Sequence, residues 1–291
     1  MTSRAFTAAP ALLAGLAAAL SGCGHDFLPQ SYLSDARILA VVSDPSEVWP
    51  GETVTLTPYV YEPPLPSGTP AATRTWSFCP LTLGSASAFD CAVPECETPL
   101  APAADGTVTA DPSVLALACL TTLGGTIPGA PSGAVPDSIE TIFRLDVLTA
   151  GGLLRESVTR VVLHTSGTPV NRNQAPVIAG VDLDGVPAAE NAVGATIPGG
   201  GKVHVVVHID PASIDSYDPG DGRSVQEIIV VSFFTTAGRL DWPRDDGPDA
   251  EDTLAATDLE AGQDHADLWM VARDLRGGEA VAGPYEVDFG P

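Results

Sequence analysis

Short segments in which apolar and polar residues alternate one for one recur along this chain, and each is closed by glycine or proline. Val54, Leu56 and Val60 alternate with Thr55, Thr57 and Tyr59, and residues 139–147 repeat the pattern through Ile139, Phe143, Leu145 and Val147. A period of two sends successive side chains to opposite faces of a strand, so that one face can be buried while the other stays wet. Gly and Pro supply 56 of the 291 residues, well above the roughly 12% of average usage. Together these features confine the chain to many short strands joined by turns, an all-β class. A hydrophobic content of 44% is enough to fill packed cores.

The strands group into two halves. In the first, residues 38–42, 54–60 and 74–79 read as strands, Trp76 and Phe78 sharing one face. Residues 139–147 and 158–163 read as a hairpin turning at Gly151-Gly152. Trp76 beside Cys79 is core packing near a disulfide. Residues 80–137 are irregular, with one short helix capped by Asp111-Pro112 and running to Leu120. Residues 167–176 are polar, carry two prolines and have no apolar period, which marks a linker. In the second half the best strands are residues 177–181, 202–210, 226–236, 266–274 and 280–288.

Charge narrows the partners. The chain has 13 basic and 37 acidic residues, a net charge of −24, and Lys202 is its only lysine. Such a field repels phosphate backbones and anionic headgroups, so neither nucleic-acid binding nor electrostatic docking to a membrane is expected.

The start of the chain gives a location. One arginine, Arg4, precedes a run without charge from residue 5 to residue 20, followed by Leu20-Ser21-Gly22-Cys23. The run is short for a membrane span, which needs about 20 apolar residues, and Pro10 interrupts it. The last four residues resemble the lipobox of bacterial lipoproteins. That resemblance implies removal of residues 1–22 as a signal peptide and acylation of Cys23, palmitate included. One acyl chain binds a membrane reversibly and two or more hold stably, so the protein would stay on its membrane through Cys23. Gly24, where an aspartate often signals retention at the inner membrane, favours the outer membrane; which face is occupied is not readable.

An exported chain meets an oxidising compartment, and Cys79, Cys91, Cys96 and Cys119 are an even set that fits two disulfides. Three pairings are open; Cys79–Cys91 with Cys96–Cys119 is preferred because it closes local loops. No C-x-x-C pair or nearby histidine supports zinc.

Three further segments resemble known modules. Pro50-Gly51-Glu52 before an alternating strand resembles the opening of bacterial immunoglobulin-like domains. Asn171-Arg172-Asn173-Gln174-Ala175-Pro176 resembles junctions entering cadherin-like, fibronectin-like or PKD-like modules, although Arg172 stands where calcium would need acids. Residues 268–278, a strand, an aspartate and a glycine turn, resemble the last hairpin of immunoglobulin-like and PKD-like domains. The resemblance implies two immunoglobulin-like β-sandwich domains after a lipoprotein signal peptide. The plan is signal 1–22, lipidated tether 23–36, first sandwich with a stapled insertion 37–166, linker 167–176 and second sandwich 177–291.

Candidate chemistry is sparse. His204 and His208 lie on an alternating strand, where four residues span about 13 Å, too far to share one metal. Asp182 and Asp184 open half of a calcium loop; Asp215, Asp218 and Asp221 are spaced by three, not two. Asp241, Asp245, Asp246, Asp249, Glu251 and Asp252 crowd one presumed loop. Asp241, Asp245, Asp246 and Asp249 are weak calcium candidates there, and solvated carboxylates are the simpler reading. Trp242 in the same loop could be exposed and stack on a sugar. No nucleophile elbow, H-E-x-x-H, phosphate loop or dinucleotide fingerprint is present, so no catalytic residue is assigned. The chain reads as a lipid-anchored envelope protein, a non-enzymatic binding or structural module for an unknown envelope protein or glycan, without an obligatory cofactor. The alternatives are a glycan- or peptide-acting hydrolase using loop acids, or a calcium-dependent adhesion module.

Overall fold

The structure is a computed structural model that describes residues 29–67, 69–124, 136–167, 172–218 and 222–290. Cys23 and the lipobox, Asn171 and Asp221 lie outside the described residues. The first half forms β1 (Arg37–Asp44), β2 (Glu47–Val48), β3 (Val54–Tyr61), β4 (Thr73–Cys79), β5 (Thr98–Leu100) and β6 (Val108–Ala110). Helix α1 (Pro112–Thr122) follows, then the long hairpin β7 (Ser138–Leu148) and β8 (Leu154–His164). These strands make a three-stranded sheet, β1-β3-β6, and a five-stranded sheet, β2-β8-β7-β4-β5. The alternating residues close a core between the sheets that includes Val41, Leu56, Trp76, Phe78, Phe143, Leu145 and Val161.

The second half begins with β9 (Ile178–Leu183), β10 (Val186–Pro187), β11 (Val193–Pro198) and β12 (Lys202–Ile209). Short strands β13 (Ser216–Tyr217) and β14 (Val225–Gln226) form a small ladder of their own. Then come β15 (Val230–Thr235), β16 (Arg239–Leu240), β17 (Arg244–Asp246) and β18 (Asp249–Ala255). The chain closes with β19 (His265–Arg273) and β20 (Glu279–Gly290). One sheet is ordered β10-β9-β12-β18-β16 and the other β11-β20-β19-β15-β17. Val203, Val205 and Val207 face Phe233, Leu268 and Met270 across this second core.

The irregular stretch of the first half is stapled by disulfides Cys79–Cys91 and Cys96–Cys119, the preferred pairing. Helix α1 starts where expected: the Asp111 carboxylate accepts the amide protons of Ser113 and Val114, satisfying two of the donors a helix start leaves open. Trp76 is buried and its indole N–H donates to the Gly106 carbonyl at 3.2 Å.

Two expectations change. The presumed acidic loop is largely strand, because β17 and β18 take up residues 244–246 and 249–255. In β18 the inward positions Ala250, Asp252 and Leu254 alternate with outward Asp249, Glu251 and Thr253, so Asp249 and Glu251 are the wet face of a strand while Asp252 points into the sandwich. Part of the expected tether is also packed. Leu33 and Ala36 are buried, the Leu33 amide donates to the Thr235 carbonyl at 2.8 Å, and the Thr235 amide donates to the Ser31 carbonyl at 2.9 Å.

Candidate functional site

The run Leu268-Trp269-Met270-Val271-Ala272 in β19 is apolar without interruption, which a strand tolerates when both its faces are buried. Leu268, Met270 and Ala272 enter the core of their own sandwich. Val271 instead joins Leu33, Leu39 and Ala40 in a separate cluster, with Tyr61, Phe234, Trp269 and Val281 packed against it. The outer face of the β19–β20 hairpin is thus covered by β1 of the other sandwich together with Leu33. A bulge in the β1–β3 ladder between Ile38 and Ala40 makes this possible. The extra residue lets Leu39 and Ala40 enter the shared cluster while Val41 serves the first core.

Strand β1 is the edge of its sheet, and an uncovered edge leaves donors and acceptors unpaired. Two side chains from the β19–β20 hairpin complete it. Arg273 Nη2 donates to the Leu39 carbonyl at 2.9 Å, and Glu279 Oε2 accepts the Val41 amide at 3.2 Å. Arg273 Nε and Glu279 Oε1 are joined at 2.7 Å, so the pair acts as a short rung across the junction.

A second polar junction lies beyond the hairpin turn. Asp274 is 3% exposed, and its carboxylate accepts the amides of Arg276 at 2.7 Å and Gly278 at 2.9 Å. Asn173 Nδ2 donates to Asp274 Oδ2 at 2.7 Å and to Ser46 Oγ at 3.3 Å, tying the linker to both halves. Gly278 is required here because a Cβ would collide with the Asp274 carboxylate and with Ala175 Cα. Arg276 reaches Glu227 at 2.6 Å and Glu47 at 3.5 Å and lies over the Tyr217 ring at 4.6 Å. Burial pushes the Glu227 carboxyl up, against the pull of its bond to Arg276. Arg172, which stands among the junction asparagines, holds Glu52 of the Pro-Gly-Glu turn at 2.6 Å and lies over Trp49. The backbone amide of Trp49 and the Arg172 guanidinium lower the Glu52 carboxyl.

With the two sandwiches fastened along β1 and β19, a cleft of about 480 Å³ remains beside the shared cluster. Its walls include Tyr59, Tyr61, Trp269, Gln263, Asp264 and Asp267. The Tyr61 and Trp269 rings meet edge to face, 5.4 Å apart at 65°. Desolvation raises the Asp267 carboxyl, opposed by the nearby charge of His265. Tyr61 is raised by burial first and then by the charge of Asp267. Asp264 is the opposite case: its side chain is 84% exposed, paired with His265 Nδ1 at 2.9 Å, and lowered by that bond. Neither carboxylate belongs to a sequence motif; Asp267 is signalled only by being a charge inside an apolar strand.

The residues singled out by sequence do not converge. His204 and His208 lie on the outer face of β12 and take separate partners. His204 meets Glu251 at 3.2 Å, whereas His208 is clamped by Asp249 at 2.6 Å and Asp182 at 3.3 Å. The bonds to Asp249 and Asp182 raise His208. Asp241 is paired with Lys202 at 2.9 Å, Asp245 accepts the Glu251 amide at 2.8 Å, and Asp246 lies in β17 opposite Val230. Among the described residues no group of three or more His, Cys, Asp or Glu side chains could hold a metal ion. Asp252 faces inward, is raised by burial, and accepts the Trp242 and Thr253 amides through one oxygen. Trp242 is 79% exposed, as the sugar-stacking reading requires, but it stands on the acidic edge away from the cleft.

No family model and no curated protein matches the chain. Among solved structures it is similar to the fibronectin(III)-like modules of Clostridium thermocellum CbhA, at 12% identity over 88% of this chain and 93% of that one, TM-score 0.22. It is also similar to the D00-D0 domain of Intimin, at 10% identity over 88% and 99%, TM-score 0.25. A third is the Ig1-2 module of the Drosophila receptor protein tyrosine phosphatase DLAR, at 9% identity over 88% and 100%, TM-score 0.28. On its own sheet orders and cores, the chain is an all-β protein of two immunoglobulin-like β-sandwiches.

Proposed function

We propose that this chain is a lipid-anchored protein of the outer membrane that acts as a non-enzymatic binding module. The lipobox supports the anchor at Cys23. The cleft between the two sandwiches carries the binding reading, because it is a concave surface walled by Tyr59, Tyr61 and Trp269 with Asp264 and Asp267 beside them. Fastening along β1 and β19 supports a fixed cleft in place of two swinging modules. Cys23→Ala should release soluble protein or stall processing of the precursor; retention in the membrane fraction at unchanged size would refute the anchor. Crosslinked pull-downs from the envelope should recover a partner that the chain with a blocked cleft does not.

One observation favours a hydrolase as the second reading. Asp264 and Asp267 line one concave surface, and their environments push the two carboxyls in opposite directions, as an acid and base pair requires. The exposure of Asp264 and its bond to His265 weigh against it. Turnover of oligosaccharide or peptide substrates, abolished by Asp267→Asn, would establish this reading in place of the first.

A further inference from the structure

We propose that the tip of the β7–β8 hairpin, with the β3–β4 loop beside it, dips into the surface of the membrane to which the chain is tethered. The inference rests on the anchor at Cys23 and adds a second, non-covalent contact with the same bilayer. Leu65, Leu148, Leu153 and Leu154 are each between 42% and 53% exposed. Leu148 and Leu154 are paired on the last rung of the hairpin, and Leu153 and Leu65 line a groove of about 240 Å³. Single exposed leucines need no explanation, but a group of them at one end of a sandwich marks a surface that something covers. Charge sets this end apart as well. Residues 63–67, 69–73 and 147–154 carry no charged side chain, in a protein where 17% of residues are charged.

Two observations favour a bilayer over a protein partner. The tip adjoins the root of the tether: Arg155, next to Leu154, holds Asp35 at 2.6 Å and donates from Nε to the Ala36 carbonyl at 2.9 Å. Cys23 is twelve residues before Asp35, and a fully extended segment of that length spans about 40 Å at most. An acylated Cys23 therefore keeps the tip within that distance of lipid, where a patch too weak to bind alone meets the bilayer at high effective concentration. The second observation is the local balance of charge. Glu62, at the base of the β3–β4 loop, is paired with Arg74 at 2.9 Å, so both acids bordering the patch are matched by an arginine. Anionic headgroups repel a chain of net charge −24, and an uncharged end is the part that can approach them. Asp146 and Glu156 are paired two rungs below Leu148 and Leu154 and limit the depth of entry. Two rungs span about 7 Å, within the roughly 5–10 Å that interfacial elements enter.

The test uses the full acylated chain carrying Leu153→Trp and Trp242→Phe, reconstituted through its own anchor into phosphatidylcholine vesicles with or without bromine on the upper part of the acyl chains. Trp242→Phe removes the exposed native indole from the signal. Emission from the introduced indole should shift to the blue on the vesicles, and brominated lipid should quench it. Quenching should be the same at low and high salt, because an apolar contact is not screened. It should be lost when Leu65→Ser, Leu148→Ser and Leu154→Ser are added. Leu154→Trp with Leu153 intact repeats the measurement should the first substitution unfold the turn. A chain that floats with the vesicles but is not quenched overturns the tip contact and leaves the anchor standing. A chain that carries no acyl mass and does not float overturns the anchor, and this inference with it. A blue shift without quenching means that a second copy or another protein covers the tip, and quenching that vanishes at high salt means diffuse attraction; either result overturns the proposal.

Discussion

Asp274 offers the sharpest test of how the two sandwiches are joined. Its buried carboxylate accepts three hydrogen bonds, from the amides of Arg276 and Gly278 and from Asn173 Nδ2. Asp274→Ala removes all three and leaves the donors stranded in a site with little access to water. Bonds to a charged acceptor contribute about 1.5–3 kcal/mol each, offset by the carboxylate's own desolvation, so a net loss of about 3–5 kcal/mol is expected. For a protein of this size that corresponds to a fall in melting temperature on the order of 10 °C. Asp274→Asn should cost far less, about 1 kcal/mol. Its carbonyl can still accept both backbone amides, and Asn173 can turn its amide so that Oδ1, which has no partner among the described residues, accepts from the new NH₂. Thermal and denaturant melts of both variants measure the difference. If Asp274→Ala melts within 2 °C of the parent, or Asp274→Asn is as damaging as Asp274→Ala, the carboxylate does not hold the junction as described.

Three further outcomes are expected. His208 is raised by Asp249 and Asp182, so its stabilisation is fully present below the ordinary histidine value of 6.5 and is lost as pH rises through the raised value. Because the ring is partly exposed the difference should stay below about 1 kcal/mol, and a melt difference between parent and His208→Gln that does not shrink as pH rises would contradict it. The Cys96–Cys119 bridge spans 23 residues; Cys96→Ser with Cys119→Ser should cost about 3 kcal/mol in chemical denaturation, and mass spectrometry of the parent should find no free thiol among the four cysteines. Melting curves in calcium and in chelator should coincide, since Asp241, Asp245 and Asp249 already hold partners, and a calcium-dependent rise lost in Asp245→Asn would reverse that reading.

The sequence by itself determined the local structure. Period-two alternation put Leu56, Phe143, Val205 and Leu268 inside and their neighbours outside, because a strand has only two faces. Asp111-Pro112 started α1, and Cys spacing made the two local bridges the economical pairing. It left β18 hidden, since Asp249, Glu251 and Asp252 read as loop until β12 supplied the opposite strand with His204 and His208 on the same wet face. Tertiary structure alone decided the junction. Leu39, Ala40 and Val271 are separated by more than 200 positions, and nothing in either strand's periodicity states which foreign surface covers its second face. The same holds for the cleft. Tyr61, Asp267 and Trp269 belong to ordinary strands, and they become a candidate site only because the two sandwiches dock side by side and leave a cleft between them.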